Sequence, residues 1–141
     1  MMIMKKIIVC LAVFLFSEIG FAQNNFTLEI EGVKKQGGKL YISFFNSEES
    51  FDKRKVCYSM ETKATAETLR VPVSLPTGGC VISMYQDSNG NGKLDSNFPG
   101  IPGEPFGFSN YNGKSAPGSF DKLKVMVNDK TKKVTVHLYQ I

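Results

Sequence analysis

The sequence is poor in the side chains that most catalytic and metal centres use. It has one histidine, His137, and three cysteines. An enzyme of the usual kinds needs a nucleophile with a base, a carboxylate pair, or a metal held by nitrogen or sulfur ligands. His137 falls on the outward face of the last predicted strand with no partner in view, so we expect a solvated surface residue. The composition therefore favours a non-enzymatic protein.

The sequence also lacks a concentrated block of charge. Seventeen Lys and Arg residues stand against 13 Asp and Glu residues, for a formal net charge of +4. The lysines are scattered and are not interleaved with aromatic residues, whereas a nucleic-acid-binding surface normally carries a basic patch. We therefore expect no nucleic-acid partner.

No apolar run is long enough to cross a bilayer, which takes about 20 residues. The longest, residues 7–16, follows two lysines and precedes Gly20-Phe21-Ala22. A basic start, a short apolar run and a small-x-small site are typical of a secretory signal peptide. We predict a signal peptide over 1–22, a single domain over 23–141, periplasmic or secreted localisation, and no stable membrane insertion after cleavage.

Two cysteines, Cys57 and Cys80, lie beyond the predicted cleavage site. An even pair in an exported protein is most simply interpreted as one disulfide. Two buried free thiols or half of a metal site are the alternatives.

Short stretches of alternating apolar and polar residues predict strands, and no long stretch has a helical period. The fold class is therefore all-β, a single antiparallel β-sandwich of the transthyretin or immunoglobulin kind, with a small barrel as the alternative. The first two strands are expected to pair, Pro72 to mark an edge strand, and the last two strands to form a hairpin with Val134, Val136 and Leu138 inward. The predicted strands are 26–32, 39–46, 66–74, 80–86, 120–127 and 133–139.

Two segments fall outside this pattern. Residues 47–65 could start a short helix at Ser-Glu-Glu-Ser-Phe, but we interpret them as a surface connection anchored by Phe51. Residues 86–119 show no strand signal but carry several aromatic residues, which indicates a long ordered loop over one end of the sandwich.

The start of this loop has the layout of a calcium-binding site. Oxygen-bearing side chains recur at every second residue and a glycine follows the third of them, as in the helix-flanked calcium loop. Position 12 of that loop, normally a bidentate Glu, is Phe98, and the nearest replacement is Glu104. A polar turn with two Asn-Gly dipeptides is the alternative. The predicted Ca²⁺ ligands are Asp87, Asn89, Asn91, the Lys93 carbonyl, Asp95 and Glu104.

The end of the loop offers a different chemistry. Aromatic rings beside amide and hydroxyl groups suit a sugar or a peptide, so a cell-surface polysaccharide or protein is the expected partner. The same rings could instead form the core of the loop, which is the more natural interpretation for Phe106 and Phe108 than for Tyr111. The candidate ligand-binding residues are Phe108, Ser109, Asn110 and Tyr111.

The strand Val81–Tyr85, the 87–95 loop and the run from Gly100 to Asn110 resemble domain-of-unknown-function family 2141 of exported bacterial proteins. That family often has His-Asp where this chain has Gln86-Asp87. The loop is also similar to the calcium-binding B repeats of bacterial surface adhesins, which have transthyretin-like folds. That resemblance implies a weak extracellular-type site, with dissociation constants of roughly 10⁻⁴ to 10⁻³ M.

These features predict an exported, non-enzymatic β-sandwich module with a structural calcium loop. The alternative function is a hydrolase that uses the Asp87 and Glu104 carboxylates, which requires a suitable separation between them and a cleft.

Overall fold

A computed structural model describes residues 23–34, 37–87, 96–98, 101–102 and 104–140, with the backbone alone described for 96–98 and 101–102. The predicted signal peptide lies outside these residues. The helices and strands, in chain order, are β1 Gln23–Glu31, β2 Lys39–Phe45, α1 Glu48–Asp52, β3 Tyr58–Lys63, β4 Leu69–Pro76, β5 Gly78–Asp87, β6 Ser96–Phe98, β7 Ile101–Pro102, β8 Phe106–Phe108, α2 Phe120–Leu123, β9 Val125–Val127 and β10 Lys133–His137.

Two sheets form the body of the fold. Sheet A has the strand order β10-β1-β4, and sheet B has the order β3-β2-β5-β8, with β9 paired to the start of β5. The prediction of an all-β, sandwich-like fold is confirmed. No helix in the described part of the chain is long and apolar enough to cross a membrane.

The pairing of the strands differs from the prediction in three ways. β1 and β2 lie in different sheets, β9 and β10 pair with β5 and β1 rather than with each other, and β1 and β10 run parallel. The chain therefore crosses between sheets after β1, at Gly32, which has φ +78°. A Cβ there would lie 2.7 Å from the Leu138 carbonyl oxygen. Glycine thus lets the end of β10 approach the crossing, an interaction that local alternation does not encode.

The main core lies between the sheets and follows the predicted alternation. Val136 and Leu138 are buried and Val134 packs against the same cluster, so the predicted inward face of the last strand is confirmed. Burying a large aliphatic or aromatic side chain contributes about 1.5–3 kcal/mol. Completely or almost completely buried members of the core are Leu28, Ile30, Leu40, Ile42, Phe44 and Ile82.

A second cluster covers the outer face of sheet B at one end, where Phe45 and Val81 meet the two short helices. Helix α1 begins at a capping box in which Ser47 accepts from the Ser50 N–H (3.0 Å) and Ser50 Oγ accepts from the Ser47 N–H (3.1 Å). Phe51 is 7% exposed, as expected of an anchor. The interpretation of 47–65 as a plain connection is wrong, however, because it contains both α1 and β3.

The predicted strand 120–127 is also wrong in its first half, which is helix α2. Phe120 and Leu123 are both buried in the second cluster. Residues three apart share a helix face, whereas a strand would send them to opposite faces. The helix is therefore the conformation that buries both.

The two sides of the sandwich differ. On one side, Phe106 of β8 and Tyr139 exchange backbone hydrogen bonds of 2.9 and 2.8 Å, which join sheet B to the end of β10. On the other side, β3 and β4 are the sheet edges, and Pro72 lies on β4 as predicted. The segment 86–119 is wrongly predicted to lack strands, since it contains β6, β7 and β8.

Candidate functional site

Only two of the predicted calcium ligands belong to the part of the chain with described side chains. Asn89, Asn91, Lys93 and Asp95 lie outside the described residues, as do the Asn-Gly dipeptides. Asp87 and Glu104 are described, and both are buried, with exposed fractions of 2% and 5%. Asp87 and Glu104 are therefore the described part of the candidate calcium site.

The register of β5 and β8 brings these two carboxylates together. Tyr85 pairs with Phe106 in an antiparallel ladder, and the Gln86 N–H donates to the Pro105 carbonyl oxygen at 2.8 Å. Asp87 comes directly after Gln86 and Glu104 directly before Pro105, so both carboxyl groups lie at the same end of this strand pair.

The phenol of Tyr85 responds to both carboxylates. Burial raises the pKa of Tyr85 most, and the negative charge of Asp87, then Tyr41 and Glu104, raise it further because each disfavours the phenolate. Tyr85 and Asp87 are two residues apart on β5 and so share the outer face of sheet B. The pair and the phenol thus form one acidic, oxygen-rich patch at the end of β5.

Gln86, the residue between Tyr85 and Asp87, has a structural function. Gln86 is completely buried. Its Oε1 accepts from the Lys34 N–H at 2.8 Å, and its Nε2 donates to the carbonyl oxygens of Lys34 and Gly37. It therefore fastens the connection between β1 and β2 to the end of β5. Sequence reasoning did not single out this role, although the signal was present: Gln86 extends the inward-facing series Ile82 and Met84.

Residues 28–135 match a family described as an uncharacterized protein conserved in bacteria, DUF2141. The chain belongs to the DUF2141 family. The match runs from β1 into β10 and contains both sheets and the carboxylate pair. No curated protein and no solved structure shows significant similarity to the chain.

Two of the ligand-binding candidates of this DUF2141 domain hold its own backbone together. Ser109 is 0% exposed, and its hydroxyl accepts from the Ile82 N–H (3.0 Å) and donates to the Leu123 carbonyl (2.5 Å). Asn110 has φ +53° and donates to the Lys124 carbonyl at 2.6 Å. Ser109 is thus inside the protein, whereas Asn110 remains at the surface.

The other two candidates form part of a chain of rings. Phe108 and Tyr111 are half-buried and pack edge to face, with ring centres 5.8 Å apart, and Phe106 contacts both. Tyr111 also meets Tyr139 at 5.6 Å. Tyr111 donates to the Ser115 carbonyl through its hydroxyl. Phe106 is buried, and the partly open rings of Phe108 and Tyr111 are the surface-accessible part of this DUF2141 cluster.

The remaining chemistry-bearing residues lie apart from the carboxylate pair. His137 is exposed, as predicted, and its ring centre lies 4.7 Å from that of Tyr139. Within the described residues no group of three His, Cys, Asp or Glu side chains is placed to hold a metal ion. The described half of the candidate site therefore supplies two carboxylates.

The predicted disulfide is not present in the DUF2141 structure, where Cys57 is an exposed free thiol and Cys80 a buried one. The reason lies in the strand order. Cys57 directly precedes β3 and Cys80 lies in β5, while β2 runs between those strands. Two strand spacings amount to roughly 9.5 Å, whereas a disulfide joins Cα atoms no more than about 7 Å apart.

Proposed function

We propose that this protein is an exported, non-enzymatic β-sandwich module that binds Ca²⁺ at the end of β5. The observation that supports the proposal is that Asp87 and Glu104 are both buried and that both raise the pKa of Tyr85, which lies where β5 pairs with β8.

Electrostatics favours a cation at this position. Buried charges are paired, hydrogen-bonded or coordinated to a metal, and carboxylates gathered at one place suit a divalent cation. Carboxylate oxygens are hard ligands that suit Ca²⁺ and disfavour zinc or copper.

The pair also answers the question raised by Phe98. In this proposal Glu104, which like Asp87 acts on the Tyr85 phenol, supplies the carboxylate that position 12 lacks. Asn89, Asn91, the Lys93 carbonyl and Asp95 are the further ligands of the proposal. When bound, the ion supplies structural stabilisation of the segment between β5 and β8.

Ligand binding is the second part of the proposal. The open rings of Phe108 and Tyr111, with the Asn110 amide beside them, suit a carbohydrate or a peptide of the cell surface. Ser109 contributes by fixing the backbone beneath them, since both of its hydrogen bonds are internal.

The calcium proposal is tested by thermal unfolding with calcium or magnesium at equal ionic strength. A ligand at 100 times its dissociation constant adds about 2.7 kcal/mol to the free energy of unfolding, so calcium is expected to raise the melting temperature. Asp87→Ala and Glu104→Gln should each abolish the rise. Glu61→Gln is the matched control, because Glu61 is an exposed carboxylate paired with Lys39 on the same sheet.

If millimolar calcium leaves the melting temperature of the unmodified protein unchanged, the metal proposal fails. The alternative, a hydrolase, draws on the same pair, because retaining glycosidases use two carboxyl groups about 5 Å apart. Hydrolysis of chromogenic glycosides that is lost in Glu104→Gln would favour it. The burial of both carboxylates argues for an ion, which needs less access than a sugar.

A further inference from the structure

A cavity that the calcium proposal does not use lies on the side of the sandwich where β3 and β4 are the sheet edges. It has a volume of about 480 Å³ and lies where the start of β3 faces the end of β4. We call it the seam cavity. Pockets for small molecules commonly measure about 300–1,000 Å³, so its size suits an amino-acid or short-peptide derivative.

The lining of the seam cavity is neutral and polar at several points. Among its lining residues no side chain is charged, and hydroxyl or amide groups come from Asn46, Ser74 and Thr77. Both thiols, Cys57 and Cys80, also lie on its wall. The distinctive chemistry of this cavity is therefore sulfur chemistry.

The two thiols are not equivalent. Cys57 is exposed, and its Sγ lies 2.9 Å from the Phe44 carbonyl oxygen, which fixes the sulfur beside the end of β2. Cys80 is 5% exposed and belongs to the main core. Burial, and then the nearby Cys57, raise the pKa of the Cys80 thiol to about 12. The Cys80 thiol is therefore almost entirely protonated at neutral pH, whereas the thiolate is the reactive form.

We propose that Cys57 is a site of reversible thiol modification, at which a small thiol of the amino-acid or peptide class is held as a mixed disulfide and seated in the seam cavity. The oxidant is a low-molecular-weight disulfide, R–S–S–R. The Cys57 thiolate attacks one sulfur, the Cys57–S–S–R bond forms as the old S–S bond breaks, and RS⁻ leaves and takes up a proton. An excess of small thiol reverses the exchange.

The position of Cys80 explains why the adduct persists. An internal bridge would form if the Cys80 thiolate attacked the mixed disulfide and expelled RS⁻. Its thiolate is scarce, and β2 separates the strands that carry the two cysteines. The adduct on Cys57 therefore has no efficient resolving partner.

The test treats the reduced mature protein, residues 23–141, whose only cysteines are Cys57 and Cys80, with oxidised glutathione and measures intact mass without reductant. One adduct is expected in the unmodified protein and in Cys80→Ser, and none in Cys57→Ser. Peptide mapping of the unmodified protein gives the same assignment without any substitution. An internal Cys57–Cys80 bridge, an adduct on Cys80, or no adduct at all would overturn the proposal.

A second variant separates a seated adduct from a merely exposed thiol. Ser74 lines the cavity from β4 and is exposed. Ser74→Trp fills part of the space and should slow glutathione addition by about tenfold, because exchange depends on access to the attacked sulfur. An unchanged rate, with an unchanged melting temperature, would show that the cavity does not hold the adduct.

Discussion

Gln86 permits a quantitative test of how the carboxylate end of the sandwich is held. The change is Gln86→Met, which keeps the length and the packing of the side chain but removes its three hydrogen bonds. The Lys34 N–H and the Gly37 carbonyl each lose a partner, whereas the Lys34 carbonyl keeps the Gly37 N–H. A net hydrogen bond contributes about 1 kcal/mol, and unsatisfied buried groups cost more, so we expect a loss of about 2–4 kcal/mol.

Equilibrium unfolding in urea measures this loss directly. For a domain of this size, 1 kcal/mol corresponds to a few degrees, so the melting temperature should fall by roughly 10 °C. Gln23→Ala is the control, because Gln23 is an exposed glutamine at the start of β1. Its one described side-chain hydrogen bond, to Ser74, is long, 3.5 Å. A loss below about 1 kcal/mol for Gln86→Met would refute the view that this side chain fastens the β1–β2 connection.

Two further predictions concern buried contacts of the same kind. Ser109→Ala removes the hydroxyl that joins Ile82 to Leu123 and should lower the free energy of unfolding by about 2 kcal/mol, whereas Ser115→Ala, at an exposed serine, should change it little; equal effects would contradict the assignment. Gly37→Ala places a Cβ 2.3 Å from Gln86 Nε2. This substitution should therefore lower the free energy of unfolding clearly more in the unmodified protein than in a Gln86→Ala variant. If the two losses of unfolding free energy are additive in this double-mutant cycle, the contact is refuted.

Local alternation was enough to predict the core strands and their inward faces. Val136 and Leu138 are buried as predicted because a half-buried strand records its inner face in every second residue. The same signal cannot identify partners, so it missed that β1 pairs with β10 in parallel and that β2 lies in the other sheet. That arrangement depends on Gly32 and Gln86, which act through residues distant in sequence.

The short helices were missed for a different reason. Each makes barely more than one turn, too short for a helical period to emerge from the sequence. Their signals were local: the Ser47 capping box, and the spacing of Phe120 and Leu123. The capping pattern at Ser47, with Phe51 after it, indicated the first of them, but the sequence analysis set it aside because no helical period follows.

In the candidate calcium site, the spacing of residues along the sequence was not enough to predict which residues lie near each other. Loop spacing ranked Asp87, Asn89 and Asn91 together and left Glu104 as a distant substitute. Strand register adds Glu104 on a different ground, because the Tyr85–Phe106 pairing brings the segments that carry Asp87 and Glu104 to the same end of the sheet. β8 is only three residues long, and its Phe-Gly-Phe sequence gives almost no alternation from which a register could be chosen. Gly107 allows β8 to lie against the end of β10, since a Cβ there would lie 2.5 Å from the His137 carbonyl oxygen. The position of Glu104 thus depends on a close approach between the two sheets, which no pattern within the loop records.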